Sequence, residues 1–350
     1  MVVSATRRGD SPRAVQGASV YADHKKSTFH RKHNRRGLHR RDYTRYRDFL
    51  RHGLVIFYAT LSRLVEEAPP PYRVRDPHTR GHPPADPRDI TRFLLIRALE
   101  GWSYDHVYAV LTAQADLPKV LGFTKVPHPN TVLGNLDRIP VHYWERLVQR
   151  LSLQLAVVFP GPVNTAGDAT GEGTQQFQRW YDFRFGRERR WQKFLKLHAL
   201  VSTRARFPWF LAARVTAGTW NDSPQLEVLL DQVDESIELG LVALDKGYQS
   251  RRNAQLIEDR GGTPVMDLKQ NVRHPFPRNY PAWKRMVWRW RDKRSFRCRY
   301  RRRVVVEGLF GAFKRRFGDR IRSRQRHRQR AEILARVVVW NLLAVVYHRA

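Results

Sequence analysis

Three acidic residues of this chain stand where a run of apolar or small residues ends, and acids in such places can bind a metal ion. Asp168 and Asp245 each follow such a run, and Glu307 follows three valines. A Mg²⁺ ion takes a few carboxylate oxygens and completes its octahedral shell with water and substrate phosphate. Spacing alone does not single out this trio, because Asp182 and Asp267 also lie on strand-like segments. The residues around Glu307 make the trio specific.

Four residues around Glu307 form a spaced motif. Tyr300, Arg303, Glu307 and Lys314 fit the pattern Y-x2-R-x3-E-x6-K. Only about 0.002 such matches are expected by chance in a chain of this composition. The motif is that of a large group of bacterial insertion-sequence transposases of the DDE type, which the chain therefore resembles. On one continuous helix, at 100° per residue, the four residues share a narrow stripe.

The resemblance covers about residues 160–317. Four stretches occur in the order typical of the family, namely Asp-Ala-Thr-Gly at 168–171, Lys-Leu-His at 196–198, Gly-Thr-Trp-Asn-Asp-Ser at 218–223 and Asp-Lys-Gly-Tyr at 245–248. The resemblance implies an α/β fold with a ribonuclease-H-like catalytic core, in which helices flank a mixed sheet. It also implies cut-and-paste or related DNA transposition.

The same resemblance implies the site. Asp168, Asp245 and Glu307 would be the catalytic and metal-binding residues, and Tyr300, Arg303 and Lys314 would bind DNA phosphates. Two Mg²⁺ ions are expected, for which Mn²⁺ can substitute. In two-metal phosphoryl transfer one ion activates the attacking water or 3′-hydroxyl and the other stabilises the leaving oxygen. The expected partners are double-stranded DNA, as terminal inverted repeats and target, and a second copy of the chain in a homodimeric active complex.

Composition independently indicates a polyanionic partner. The chain has 350 residues, with 65 Lys and Arg against 32 Asp and Glu, a formal net charge of +33. Each cationic contact with DNA releases condensed counterions, so nucleic acid suits this balance better than a membrane or a small acidic substrate. An arginine-rich composition that follows from GC-rich coding is the alternative.

Cysteine usage and hydropathy predict the compartment. Cys298 is the single cysteine, so it can form no internal disulfide and no thiolate zinc site. The apolar runs 54–61 and 337–347 are shorter than a bilayer-spanning helix of about 20 residues. We expect a chain with no membrane partner in a bacterial-type cytoplasm, associated with the nucleoid.

Further DNA contacts are expected beside the trio. Lys246 and Tyr248 follow Asp245 directly, and Trp283, Trp288 and Trp290 are interleaved with Lys and Arg. Aromatic faces among cations suit the stacking of unpaired bases. The alternating Trp288 and Trp290 could equally cover one face of a hairpin. His198, on an apolar strand, is more often a hydrogen-bonded core residue than a ligand.

The elements that must position these residues follow from hydrophobic period and capping signals. The period changes from helical to strand-like after Pro160. Helices are predicted at 54–65, 89–100 with Asp89 as cap, 104–115 after Ser103, 132–139, 141–158, 224–233, 251–259 after Ser250, 304–317 and 331–347. Strands are predicted at 163–168, 176–185, 195–202, 212–216, 241–245 and 263–268.

Composition shifts then divide the chain into regions. The predicted regions are a basic arm (1–52), a short helix and Pro-rich linker (53–88), a helical DNA-binding or dimerisation domain (89–159), the catalytic domain (160–318) with a basic Trp-bearing segment (271–299), and a basic segment with a C-terminal helix (319–350).

The sequence thus predicts a transposase that binds inverted-repeat ends, cleaves DNA with Mg²⁺ and joins the ends to a target. One alternative is another ribonuclease-H-like nuclease, which would cut without joining. A second is a DNA-binding protein that descends from a transposase and has lost its catalysis. The intact trio argues against the second alternative, because a protein that only binds DNA has no use for clustered carboxylates facing phosphate.

Overall fold

A five-stranded mixed sheet lies at the centre of the structure, a computed structural model that describes residues 43–74, 84–174, 194–268 and 280–349, with side chains from residue 53 onward. The strands are β1 (Val163–Gly173), β2 (Phe194–Ser202), β3 (Phe210–Ala217), β4 (Leu239–Leu244) and β5 (Thr263–Met266). Their order is β3-β2-β1-β4-β5. Strands β1, β2 and β3 are antiparallel neighbours, whereas β4 and β5 run parallel to β1. Helices flank this sheet, which confirms the predicted α/β class and ribonuclease-H-like core.

Six α-helices precede the sheet among the described residues, and the longer ones have apolar residues at helical spacing. In the last of them Tyr143, Leu147, Leu151 and Leu155 are all buried on one face. At the third, Ser103 is the predicted N-cap, because its Oγ accepts the backbone N–H three residues later at 3.1 Å. The six are α1 (Tyr43–Glu67), α2 (Pro87–Glu100), α3 (Tyr104–Ala113), α4 (Leu117–Val120), α5 (Pro129–Asn135) and α6 (Val141–Val158).

The prediction that Asp89 caps α2 is wrong. Asp86 is the N-cap, since its Oδ1 accepts a backbone N–H two residues on at 2.8 Å, and Pro87 fills the first helical position. Asp89 lies inside the first turn and is buried. Its carboxylate accepts the backbone N–H groups of Thr124 at 3.2 Å and Lys125 at 3.0 Å. Asp89 therefore ties a distant loop to α2.

In the described part of the chain after β3 there are six more α-helices, of which α8 begins at the predicted cap, where Ser250 Oγ accepts a backbone N–H at 3.0 Å. The tryptophan-bearing residues form helix α9, so the hairpin alternative is wrong. Helix α10 ends at Tyr300, and a 3-10 turn, Arg301–Arg303, separates it from α11. The six are α7 (Gln225–Gln232), α8 (Arg251–Asp259), α9 (Pro281–Arg291), α10 (Lys293–Tyr300), α11 (Val304–Phe317) and α12 (Arg326–Arg349).

Helix α12 is part of the same core as the sheet. Asn341 Oδ1 accepts the backbone N–H of Phe210 at 2.9 Å and its Nδ2 donates to the carbonyl of Phe210 at 2.8 Å, which satisfies both outward polar groups at this point of the edge strand β3. Of the described helices, α12 is the one long and apolar enough to cross a membrane, but 72% of its apolar window is buried inside the fold. Such burial is typical of a core helix.

Residues 47–350 form one compact unit, and residues 1–46 count as a separate one of which only the first turn of α1 is described. Some predictions therefore concern residues outside the described ones. These are the basic arm up to residue 42, the part of the Pro-rich linker at 75–83, the strand predicted at 176–185 with Asp182, and the part of the Trp-bearing segment at 269–279.

Candidate active site

Asp168 and Asp245 come together because their strands are parallel neighbours. Strand β1 pairs with β4 up to Gly167 opposite Leu244, so Asp168 on β1 and Asp245 just beyond β4 lie side by side. A Cβ at Gly167 would lie 2.4 Å from Leu244 Cδ2, so glycine permits the close approach immediately before Asp168. The prediction that a strand ends at Asp168 is wrong, because β1 continues to Gly173 beside β2, whereas β4 ends at Leu244. The two acids meet where the pairing of β1 with β4 ends, at the carboxyl end of β4, a position where ligands of α/β folds commonly bind.

Glu307 reaches this edge from the first turn of α11, and Arg303 joins all three acids. Arg303 Nη1 is 3.3 Å from Asp168 Oδ2 and 3.4 Å from Asp245 Oδ1, and its Nη2 is 2.7 Å from Glu307 Oε1. The structure therefore brings together the predicted trio from three separate elements. It places the guanidinium of a predicted phosphate-binding residue between the three carboxylates.

The electrostatics of the site reflect crowding of negative charge. Burial raises the pKa of Asp168, and the neighbouring charges of Asp245 and Glu307 raise it further, against the backbone N–H of Ala169 and the guanidinium of Arg303, which lower it. Burial by itself lowers the pKa of Arg303, but Tyr300 and the three carboxylates raise it above its ordinary value. One cation thus compensates part of the charge of three acids.

The donor set of the trio fits a hard divalent cation. Carboxylate oxygens are the ligands that Mg²⁺ prefers, and here three carboxylates surround a single cationic group, Arg303. Among the residues that the structure describes, no three His, Cys, Asp or Glu side chains already converge as a metal site. The guanidinium of Arg303 lies between the three carboxylates and separates them. Its position is the place in the site where a positive charge is stabilised.

Lys314 and Tyr300, the other two motif residues, have protein partners in this structure. Lys314 Nζ donates to the carbonyl of Gly171 at 2.7 Å, which ties α11 to the strand that carries Asp168. The ring of Tyr300 stacks on Phe296 with centroids 5.5 Å apart, and burial raises the pKa of Tyr300 to about 12. The 3-10 turn Arg301–Arg303 separates Tyr300 from α11, so the continuous helix on which the stripe was to include Tyr300 does not form. Arg303 precedes α11 directly and pairs with Glu307 one helical turn on.

The loop after Asp245 is held by the buried side chain of Tyr248. The structure therefore contradicts DNA contact by Tyr248. The side chain of Tyr248 is 1% exposed, and its hydroxyl lies 3.2 Å from Nδ1 of His198. Lys246 is exposed at the surface, 3.0 Å from Asp267 Oδ2, and remains open to DNA. Tyr248 is therefore a buried anchor for the loop that carries Asp245.

His198 is a hydrogen-bonded core residue. Its Nε2 lies 2.8 Å from Thr216 Oγ1, and its Nδ1 lies 3.2 Å from the hydroxyl of Tyr248, so both ring nitrogens have a hydroxyl partner inside the fold. Burial lowers the pKa of His198 to about 4, which keeps the ring neutral. The contacts of His198 with Thr216 and Tyr248 hold Tyr248 in place.

The three tryptophans have different environments. Trp283 is buried, so the structure contradicts base stacking by this ring. Trp290 is partly buried, and its Nε1 donates to Asp267 at 3.2 Å. Trp288 is 54% exposed, with the guanidinium of Arg291 4.4 Å from its ring centroid. Trp288 is the ring of the three best placed to contact a base.

Sequence reasoning missed two acids beside the trio. Asp267, considered only as a rival ligand, binds Lys246 and Trp290 and so joins the Asp245 loop to α9. Glu172 lies four residues after Asp168 on β1 and is completely buried, with no hydrogen-bond partner for either carboxylate oxygen among the described residues. The alternation of β1 could have indicated Glu172, because residues i and i+4 of a strand share a face.

Comparisons with known proteins place this site in a family. A family model described as the transposase DDE domain matches residues 165–342, which include Asp168, Asp245 and Glu307. No curated protein matches the chain, and no solved structure does.

Proposed function

The chain belongs to the family of transposases with a DDE domain, and from that premise we propose that it binds the terminal inverted repeats of an insertion sequence, cleaves DNA with a divalent metal and transfers the ends to a target. The observation that carries the proposal is the gathering of Asp168, Asp245 and Glu307 around one guanidinium. Three acids on β1, directly after β4 and on α11 meet at a common edge. They supply the carboxylate ligands for the divalent ions that phosphodiester cleavage uses.

In this proposal the trio holds two Mg²⁺ ions, or Mn²⁺ in their place. When bound, the ions supply activation of the attacking oxygen and stabilisation of the leaving one. The protein's own residues orient the reactants. The loop that carries Asp245 is held by Tyr248 and His198, and Lys314 holds β1 against α11. No nucleotide is required, because transesterification conserves the energy of the phosphodiester bond.

The surface beside the trio suits the DNA backbone. Helix α10 and the turn that follows it lead directly into Arg303, and their basic side chains are exposed. We call these residues the basic face: Lys293, Arg294, Arg297, Arg299, Arg301 and Arg302. Exposed cations near clustered carboxylates can bind the phosphates of a DNA strand that enters the site.

The decisive experiment is a strand-transfer assay on the DNA that flanks the coding region. Short inverted repeats bordered by a direct duplication would identify the substrate. We expect the purified chain to nick or cut a duplex bearing these repeats with Mg²⁺, and to join the 3′ ends to plasmid DNA. EDTA should stop both steps. Cleavage without joining would support a ribonuclease-H-like nuclease, and binding without cleavage would support a catalytically inactive DNA-binding protein.

Assembly and location belong to the same proposal. An element with two ends needs two active sites, so we propose a homodimer in the complex with DNA. A chain of net charge +33 that binds DNA would reside with the nucleoid in the cytoplasm. Light scattering of the chain with and without repeat DNA tests the first statement. A fluorescent fusion imaged against a DNA stain tests the second.

A further inference from the structure

Arg303 lies where the trio would hold a metal ion. Its two terminal nitrogens contact Asp168, Asp245 and Glu307 at 3.3, 3.4 and 2.7 Å. A divalent ion would need oxygen atoms of the same three carboxylates. The guanidinium and a metal ion therefore compete for the same lone pairs.

We propose that Arg303 is the resident cation of the metal-free trio, and that divalent ions enter only as its guanidinium leaves the three carboxylates. This proposal rests on the proposed function, because it takes the trio as the metal site. It assigns to Arg303 a role before catalysis, in addition to any phosphate contact. In the metal-free protein it holds β1, β4 and α11 together and limits the repulsion among the acids.

The contacts of Arg303 suit a side chain that can leave. Among the described residues its ion-pair partners are the three carboxylates, its guanidinium is also 5.7 Å from the ring centroid of Tyr300, and its side chain is 21% exposed. Arg336, by contrast, is almost buried and also binds the backbone carbonyls of Gly318 and Arg320. Backbone carbonyls would hold a guanidinium whatever the charge on the acids. Arg303 depends on that charge, so a competing cation can displace it.

The charge at the site favours such an exchange. Three carboxylates against one guanidinium leave about two negative charges uncompensated if all three acids ionise. A DNA phosphate offers the departing guanidinium a new bidentate partner, for which the planar fork of Arg303 is suited. Two cations that compete for one site have a coupling free energy, and removal of one must strengthen the binding of the other.

The test is the affinity of the full chain for Mn²⁺ without DNA, measured by electron paramagnetic resonance of the free ion. We expect Arg303→Gln to bind Mn²⁺ at the trio at least about fivefold more tightly than Arg302→Gln. Arg302 is the matched control, since it is exposed on the same turn and its substitution removes the same charge. Arg303→Lys, which keeps the charge but cannot bridge the acids in the same way, should fall between them.

Asp245→Asn defines which Mn²⁺ binding belongs to the trio, and thermal melting verifies that each variant is folded. Equal trio affinity in Arg303→Gln and Arg302→Gln, or weaker affinity in Arg303→Gln, overturns the proposal and leaves the metal-dependent function intact. If Arg303→Gln does not fold, Arg303→Lys decides in the same way against Arg302→Lys. If no Mn²⁺ binding in any variant depends on Asp245, both this proposal and the proposed metal-dependent function fail.

Discussion

Arg92 and Arg303 each bridge carboxylates from different parts of the chain, but in contrasting surroundings. The side chain of Arg92, on α2, is 2% exposed and lies 3.0 Å from Asp89 Oδ1 and 2.6 Å from Glu66 Oε2. Arg303 is ten times more exposed, at 21%, and contacts three acids. The first cluster joins α1 to α2 around a buried Arg92–Asp89 pair, with Glu66 63% exposed, and the second lies at the open edge of the sheet.

The difference lies in how the acids are satisfied. Asp89 has two backbone N–H donors in addition to Arg92. Burial raises the pKa of Asp89 above its ordinary value on balance, and these contacts lower it against burial. In the other cluster Asp168 accepts one backbone N–H, from Ala169, and Asp245 accepts one at 3.3 Å. Glu307 is about half exposed. A cluster with surplus negative charge at the surface can accept further cations, whereas a balanced buried cluster serves stability.

The largest expected effect is on chemistry at the surplus cluster. Asp168→Asn, Asp245→Asn and Glu307→Gln should each lower DNA cleavage by about 1000-fold or more, equivalent to about 4 kcal/mol, because an amide keeps the shape but removes the charge that binds metal. Gel assays of cleavage with Mg²⁺ check this, with DNA binding measured alongside. Asp231→Asn, on the exposed side of α7, is the control and should cleave normally. Near-normal cleavage by any trio variant removes that residue from the site.

The next effect is on stability at the balanced cluster. Arg92→Met should lower the free energy of unfolding by about 3 kcal/mol or more, because it leaves the buried Asp89 without its cation. Arg303→Met should cost about 1 kcal/mol or less, since its acids can take up solvent cations or a proton. Urea denaturation measures both. Equal losses of unfolding free energy in Arg92→Met and Arg303→Met would show that both clusters contribute to stability in the same way.

Glu172 extends the comparison to a buried acid without a hydrogen-bonded cation. Burial raises its pKa to about 7 from 4.5. Between these values the folded state binds more protons than the unfolded state, so the free energy of unfolding falls as pH rises. Glu172→Gln should remove this loss. It should be more stable than the wild type by about 3 kcal/mol at pH 8 and equal to it near pH 4.5.

Urea denaturation across this pH range checks the Glu172 prediction. His198 supplies an internal contrast, because its pKa is lowered to about 4. Its contribution is present above its ordinary pKa of 6.5 and is lost as pH falls towards 4. The decrease in unfolding free energy that His198 causes as pH falls from 6.5 towards about 4 should therefore persist in Glu172→Gln. In the wild type the contributions of Glu172 and His198 to the slope oppose each other where their pH ranges overlap. A difference in unfolding free energy between Glu172→Gln and the wild type that stays constant from about pH 4.5 to about pH 8 would refute the assignment to Glu172.

The smallest expected effect concerns the conservative change at Arg303. Arg303→Lys and Lys314→Ala should each lower cleavage or joining by about tenfold or more, equivalent to about 1.4 kcal/mol, with little change in melting temperature. A planar fork and a point charge are not interchangeable on a DNA phosphate, and Lys314 ties α11 to Gly171. Activity at saturating DNA is the measurement, with Arg315→Ala as the exposed neighbouring control. Normal activity in both variants would show that Arg303 and Lys314 of the motif do not contribute to cleavage or joining.

Local signals made much of the fold readable from the sequence. Ser103 and Ser250 cap their helices as predicted, because a side-chain oxygen needs only the N–H three residues on. Helix α11 spans Val304–Phe317, the predicted range. Where two local signals competed, the choice was wrong at α2, since Asp86 and Asp89 are both capping residue types and Pro87 decided between them.

Burial decided what local pattern could not. Tyr248 and Trp283 are aromatic residues with basic or acidic neighbours in the sequence, which predicted DNA contact. Both are buried, because elements far along the chain pack over them. Trp288 and Trp290 alternate as on a strand but lie on α9, where the tertiary context selects the helix. Side-chain periodicity reports which residues share a face, and the packing of other elements determines which face is covered.

The sequence by itself determined the family, the mixed fold and the three acids, because the four-residue motif and the order of strands and helices are properties of the chain read in line. The tertiary structure alone decided that Arg303 lies among those acids, with Asp168 135 residues away. That meeting requires β4 to pair in parallel with β1 and the turn before α11 to pack where this pairing ends. Contacts of such separation depend on the packing of whole elements, and no local spacing encodes which cation the carboxylates hold.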